Sequence, residues 1–281
     1  APAGTASEGT PLNWNNVFQN NPYWVLKTNR NTFDQDRVTG STYLNYKFND
    51  KLSINGKLSL DHYSQRETLR AEKGTNEYKD GYYAEVARRY SEINAEAILT
   101  YQTDLTSDLK LSLNGGMNTL KRVRNTVVGE LTGGLELPGL FTLSNVKANT
   151  TPNIDSDYFE QRINSVLGFG QLSYKSYAFL DFSGRNDWSS LLPAKNNSFF
   201  YPAVSGSFVL SEVLGLQNAK VNYVKLRAGW SKVGGTGRLD EYSTNKTFNL
   251  ANNNFGTQSS VPNTQWNPNI KPEQTIGTEF G

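Results

Sequence analysis

The sequence contains no cysteine, one histidine and one methionine. Disulfides and Cys-ligated metals are therefore excluded, and an iron–sulfur cluster lacks its usual ligands. The absence of cysteine does not fix the compartment. No apolar run approaches the roughly 18 residues of a transmembrane helix. No basic block is present and the net charge is only +2, so a nucleic-acid partner is not expected. The opening "APAGTASEGT" has neither the basic start nor the apolar centre of a signal peptide. If the protein is exported, its signal is expected outside the given chain.

What is present points to strands. Hydrophobic residues make up 36% of the 281 residues, and the mean hydropathy is -0.59. Yet 15 Tyr, 14 Phe and 5 Trp bring aromatics to 12%, which favours β structure. The 24 glycines suit turns and close strand crossings. Period-two alternation recurs along the chain. In "VTGSTYLNYKF" the residues Thr42, Leu44, Tyr46 and Phe48 oppose Ser41, Tyr43, Asn45 and Lys47. After a turn at Asn49-Asp50, Leu52, Ile54, Gly56, Leu58 and Leu60 oppose Ser53, Asn55, Lys57, Ser59 and Asp61. The pattern returns in "INAEAILTY", in "LKLSLNGGM", on both sides of a tight turn at Lys175-Ser176, in "YPAVSGSFVL", in "YVKLRAGWSK" and in "TIGTEFG". About nine strands in hairpin order are predicted, with single helical turns at "NPYWVLK" and "SEVLGL".

Charge sorts by face. Lys47, Lys57, Asp61, Glu96, Lys110, Asp181, Arg185, Lys225, Arg227 and Glu279 all fall on the polar set, and none is expected at an apolar position inside a strand. Connection lengths alternate as well. Those near 49–50, 102–108, 175–176 and 211–221 are short, whereas those near 1–37, 63–91, 118–162, 185–199 and 232–273 are long and polar. Short turns on one rim and long loops on the other are the pattern of an outer-membrane barrel. The apolar set, including Leu172, Tyr174, Leu180 and Phe182, is then expected to face lipid, and Gln171, Asp181 and Arg185 a wet lumen. Tyr46, Phe48, Tyr101 and Tyr174 would form an aromatic girdle at the short-turn rim. A soluble β-sandwich acting as a glycan-binding or adhesin module also hides one face of each sheet, and it stays open as a second reading.

Several segments carry a specific resemblance: "NPYW" at 21–24, "LPGLFTLSN" at 137–145, "GRNDWSS" with "FFYPAVSGSFVLSE" across 184–212, "VKLRAGWSKVG" at 224–234 and "NPNIKPEQTIGTEFG" at 267–281. In that order they resemble the SusC/RagA family of TonB-dependent outer-membrane transporters of Bacteroidetes. The resemblance implies an all-β fold, part of an antiparallel transmembrane barrel of 22 strands with a plugged lumen. It implies import of glycan or peptide fragments across the bacterial outer membrane. TonB would act through a plug region not found here, and a SusD-like surface lipoprotein would cap the mouth. Residues 1–281 are expected to form one partial-barrel domain from the interior of such a chain. No cofactor and no enzymatic activity are implied.

No catalytic constellation is visible. His62 closes a strand without partners and reads as a rim residue. "GWSKVGGTGR" lacks the Gly-Lys-Ser/Thr ending of a phosphate loop, and "GFG" at 168–170 reads as strand. The pairs Asp34/Asp36 and Asp155/Asp157 read as solvated acids, without the Gly-centred spacing of a calcium loop or the converging carboxylates of a glycosidase. The expected substrate contacts are loop aromatics with polar neighbours: Trp188 together with Arg185 and Asp187, then Trp24 and Trp266, with Trp230 at an interface. Metal ligands are not expected.

Overall fold

The computed structural model describes residues 10–281 apart from 14, 16, 217–219, 221–222, 238, 240–242, 254–255 and 264–265. Parts of the expected connections at 1–37, 211–221 and 232–273 thus lie outside the described residues. The chain runs α1 (Pro22–Thr28), β1 (Thr32–Lys47), β2 (Leu52–Ala71), β3 (Tyr82–Asp104), β4 (Leu109–Glu130), β5 (Asn153–Tyr174), β6 (Ala178–Ser189) and β7 (Ser198–Val209). It continues through α2 (Leu210–Val213), β8 (Lys225–Gly235), β9 (Asn249–Asn253), β10 (Gly256–Ser260) and β11 (Glu273–Phe280). Nine strands form one sheet in the order β1-β2-β3-β4-β5-β6-β7-β8-β11, open at β1 and β11, while β9 and β10 pair with each other. Both single helical turns are present: Asn21 caps α1 by accepting from the Tyr23 amide, with Pro22 at its first position.

Short connections are built for tight reversal. Lys175 and Ser176 have φ of 47° and 62°, and the Tyr177 amide donates to the Tyr174 carbonyl at 3.1 Å. Positive φ at both central residues makes this the primed turn whose twist suits a hairpin. Asn49 closes its turn by accepting from the amides of Lys51 and Leu52, both at 2.9 Å. Neighbouring turns are hooked together where the Lys175 amide donates to the Asp108 carbonyl at 2.8 Å.

From these turns, one face of each strand stays apolar for a fixed distance. β2 offers Leu52, Ile54, Gly56, Leu58 and Leu60 before His62, and β4 offers Leu109, Leu111, Leu113, Gly115 and Met117 before Thr119. β5 offers Tyr174, Leu172, Gly170, Gly168 and Val166 before Asn164. Five alternate positions span nine residues, which matches the roughly 9–11 residues a tilted strand needs to cross a bilayer. Leu58, Leu113, Leu180, Phe182, Val204 and Trp230 are all exposed on this face. At the turn end of the band, Tyr46 and Phe48 meet edge to face at 5.0 Å, as do Tyr174 and Tyr177 at 5.6 Å and Tyr177 and Phe208 at 5.5 Å.

The strands do not stop at the band. The expected loops at 63–91, 118–162 and 185–199 shrink to 72–81, 131–152 and 190–197, because β2 to β7 continue past it. Beyond the band charged and apolar residues mix at both parities, so the alternation that marks a half-buried strand disappears while the backbone ladder goes on. Charges accordingly occupy apolar-parity positions there, contrary to expectation: Arg66 pairs with Glu85 at 2.8 Å, Lys121 with Glu160 at 3.2 Å, and Lys232 lies two residues beyond Trp230 within β8.

The chain divides into two compact units: Ala1–Thr39 with Asp61–Ser91 and Val123–Phe159, and Gly40–Leu60 with Glu92–Arg122 and Glu160–Gly281. The second contains the apolar band. The first has a small core in which buried Tyr83, Leu131 and Leu135 pack with Phe141, Leu143 and Val146. Its connection at 131–152 is tied by the Asn145 amide, which donates to the Leu137 and Leu140 carbonyls at 2.8 and 2.7 Å. Its oxygen accepts from the Leu137 amide at 2.9 Å. The family-like stretch "LPGLFTLSN" is therefore a folded loop held by its terminal asparagine.

Candidate functional site

In the second unit, strand register assembles the polar face. β5, β6 and β7 pair so that Ser165, Asp187 and Phe199 share one row and Leu167, Arg185 and Tyr201 the next. Period-two alternation puts both rows on one face. Arg185 Nε donates to Asp187 Oδ1 at 2.7 Å and its Nη2 to Ser165 Oγ at 2.8 Å, while the Tyr201 hydroxyl donates to Asp187 Oδ2 at 2.5 Å. The Asp187 side chain is only 10% exposed. The buried carboxylate is held by two donors, the Arg185 guanidinium and the Tyr201 hydroxyl. Such a network fixes a hydrogen-bonding wall and leaves no free nucleophile.

Closer to the short turns, two further rows of the same face run Phe169, Ser183, Ala203, Ser231, Gly277 and Gln171, Asp181, Ser205, Gly229, Glu279. Their small side chains floor a cavity of about 350 Å³. Gln171 donates to Asp181 at 2.7 Å across its edge. On β3 to β5 the face continues with amides and one ion pair. Asn118 donates to Asn94 at 2.6 Å, Thr100 to Asn114 at 2.7 Å, and Arg122 Nε to Glu92 at 2.6 Å.

The first unit has its own polar, aromatic surface. Arg37 holds Asp61 through two bonds of 2.8 and 2.7 Å, Tyr63 and Tyr90 stack at 5.0 Å, and the Arg124 guanidinium lies 5.2 Å over Phe159 while bonding Asp157 at 3.0 Å. Partnered charges, amides and ring faces can make many weak contacts with a polar ligand.

The expected cluster of Arg185, Asp187 and Trp188 is divided. Trp188 pairs with Asn164 and Ser198, one residue out of phase with Asp187, so its ring is on the apolar face. One step along a strand reverses the face, and adjacency in sequence cannot bring these side chains together. Trp24 is buried in α1, 8% exposed, with no hydrogen-bond partner for its ring nitrogen, so its indole is not a free platform. Trp266 is 39% exposed. Trp230 pairs with Val204 on the apolar face. His62 is exposed at the end of the apolar band. Asp157 is paired with Arg124, and Asp155 accepts from the adjacent Ser156 amide. Among the described residues no group of acids and histidine could hold a metal ion. Sequence reasoning missed Tyr201 and Ser165, although counting outward from the Lys175-Ser176 turn aligns Ser165 with Asp187.

The comparisons agree on one architecture. Residues 2–281 match the family model described as TonB dependent receptor-like, beta-barrel. Among solved structures, the RagAB peptide importer in its closed-closed state matches with a TM-score of 0.78 and 17% identity, over 93% of this chain and 29% of that chain. A structure of the RagAB peptide transporter gives 0.76 and 17%, over 93% of this chain and 29% of that one. The open-open state of the importer gives 0.77 and 17%, over 94% and 29%. At this identity the likeness carries the fold. The chain spans 29% of the length of the structures it matches. A search of the curated proteins found no match.

Proposed function

Because this chain belongs to the TonB dependent receptor-like, beta-barrel family, a family of outer-membrane receptors and transporters rather than enzymes, we propose that residues 1–281 are one stretch of the wall of a nutrient importer. The apolar face meets lipid, and the polar face lines the path of peptide or glycan oligomers. The observation that carries this reading is the two-faced sheet: a nine-residue apolar band on one side, and hydrogen-bonded amides, hydroxyls and paired charges on the other. A sandwich would need a second sheet over that band. Among the described residues the only other sheet is the pair β9 and β10, five residues each.

In the assembled transporter, TonB drives release through a lumenal plug and a SusD-like surface lipoprotein closes the outer mouth. The name of the RagAB structures supports a peptide cargo, and the inner wall itself suits either oligomer. Arg185, Asp187 and Tyr201 act as fixed inner-wall contacts, while Trp24 holds the α1 segment in place. Trp266, also exposed, is a further ligand contact.

The test is uptake. Cells carrying or lacking the intact gene are given fluorescent oligopeptides or oligosaccharides, with and without an uncoupler. Energy-dependent uptake of one class that disappears with the gene supports the proposal and names the cargo. Unchanged uptake of both classes overturns it.

A further inference from the structure

The apolar face of the second unit carries a groove of about 460 Å³ bordered by Ala97, Met117, Thr119, Asn164, Val166 and Trp188. Thr119 donates to Asn164 at 2.8 Å across its upper edge, and Trp188 pairs with Asn164 beside it. Two residues nearer the short turns than Met117 and Val166, Gly115 and Gly168 leave the same face bare. A Cβ at Gly115 would meet nothing within 4 Å, and one at Gly168 only the Asn114 carbonyl at 3.7 Å. Past the upper edge, Lys121 and Arg162 share a single carboxylate, Glu160, at 3.2 and 3.7 Å. Their side chains remain 41% and 54% exposed.

We infer that this groove seats one net-anionic, phosphate-bearing lipid of the leaflet on the long-loop side. One acyl chain lies between Trp188 and Met117 and reaches Gly115 and Gly168, and the phosphate meets Lys121 and Arg162. Three arguments select that occupant. The groove is continuous with the lipid-facing band, so an acyl chain is its ordinary neighbour. Two cations on one carboxylate leave a positive excess at its polar end, which complements a net-negative phosphate headgroup better than a zwitterionic one. The distance also fits: from Arg162 to Gly168 is six residues of strand, roughly 20 Å. With a tilt of about 40° this spans roughly 15 Å, half of a hydrocarbon core of about 30 Å. Trp188 at the upper rim then has the place of a belt tryptophan, its ring against the chain and its N–H at headgroup level. The inference rests on the barrel-wall reading and is independent of transport.

The test uses the full-length transporter, delipidated in mild detergent. Native mass spectrometry follows added hexa-acyl lipid A bis-phosphate, with phosphatidylethanolamine as the neutral comparison and heat-modifiable mobility as the fold check. One lipid A is expected to be retained. Each cation near a membrane surface contributes about fivefold to anionic lipid affinity, so K121Q/R162Q is expected to weaken retention roughly thirty-fold. Gly168→Leu fills the groove and is expected to weaken both lipids. Should Gly168→Leu fail the fold check, the exposed double variant still decides. Equal retention of lipid A by wild type and K121Q/R162Q overturns the inference, as does equal retention of the neutral lipid. If folded wild type retains no lipid of any kind, the barrel-wall reading falls with it.

Discussion

Val204 and Ser205 are neighbours on β7 whose side chains leave the sheet on opposite faces, and an arginine at each tests which face meets lipid. Val204 pairs with Phe182 and Trp230 and is 43% exposed. It stands four residues from Phe208 at the turn end of the band, near the middle of a nine-residue crossing. A cation at that depth costs about 2–4 kcal/mol in an outer-membrane barrel. Ser205 pairs with Asp181 and with Gly229, which in turn pairs with Glu279. An arginine there enters a wet wall between two acids and is expected to change stability by less than about 0.5 kcal/mol. The two variants carry the same charge, one residue apart, so their difference isolates the face. In urea titrations of the full-length barrel from phospholipid vesicles, followed by tryptophan fluorescence, V204R is expected to shift the folding equilibrium roughly 30- to 1000-fold more than S205R. Equal shifts, or a larger one for S205R, would refute the assignment of faces and with it the lumenal role of Asp181 and Arg185.

Three further outcomes follow from named contacts. Asp187→Ala leaves Arg185 without its carboxylate and the Tyr201 hydroxyl without its acceptor, and is expected to cost about 1–3 kcal/mol, with Asp187→Asn costing less; both are read by the same titration. Leu135, within the 131–152 connection, is fully buried against Tyr83 and Leu131, so Leu135→Ala is expected to cost about 2–5 kcal/mol locally and to expose that loop to limited proteolysis while the apolar band stays intact. Glu85 lies below the usual carboxylate range because the Tyr83 hydroxyl donates to it and Arg66 pairs with it, and Lys147 does the same for Asp80. Tyr83 is pushed up to about 12, chiefly by burial and then by Glu85, and so remains a donor at neutral pH. Depressed acids stabilise the fold above their unfolded pKa and lose that contribution as pH falls through the folded value. Protection of residues 72–81 and 131–152 from an acid protease is therefore expected to be full near pH 6 and to decline below about pH 4. Protection that rises on acidification would contradict the ion pairs.

The nine-stranded sheet was legible because one apolar and one polar face impose strict alternation. Leu52 to Leu60 and Leu109 to Met117 carry that pattern without exception, and the sheet has the predicted number of strands. The upper halves of β2 to β5 were not legible for the opposite reason. Once both faces are wet, residues such as Arg66, Arg89 and Glu160 appear at either parity, and a ladder that continues for another ten residues reads as loop. The two-stranded β9–β10 ladder escaped as well, since "NLANN" and "GTQSS" have no apolar set to alternate.

The expected cluster of Arg185, Asp187 and Trp188 is divided for a more instructive reason. "GRNDWSS" looks like one polar, aromatic loop whose Arg185, Asp187 and Trp188 would form one ligand contact. It is strand, and in a strand Arg185 and Asp187 point one way while Trp188 points the other. The tight turn at Lys175-Ser176 already contained the correction. Pairing Tyr174 with Ala178 fixes every later pair, placing Ser165 opposite Asp187 and Asn164 opposite Trp188. Asp187 then falls among polar partners and Trp188 beside Val166, so the same seven residues serve two surfaces. A tryptophan at the edge of an apolar band needs no ligand to explain it, whereas a carboxylate that is 10% exposed does need its arginine and tyrosine. In a two-faced wall, parity from the nearest turn decides function before residue type does.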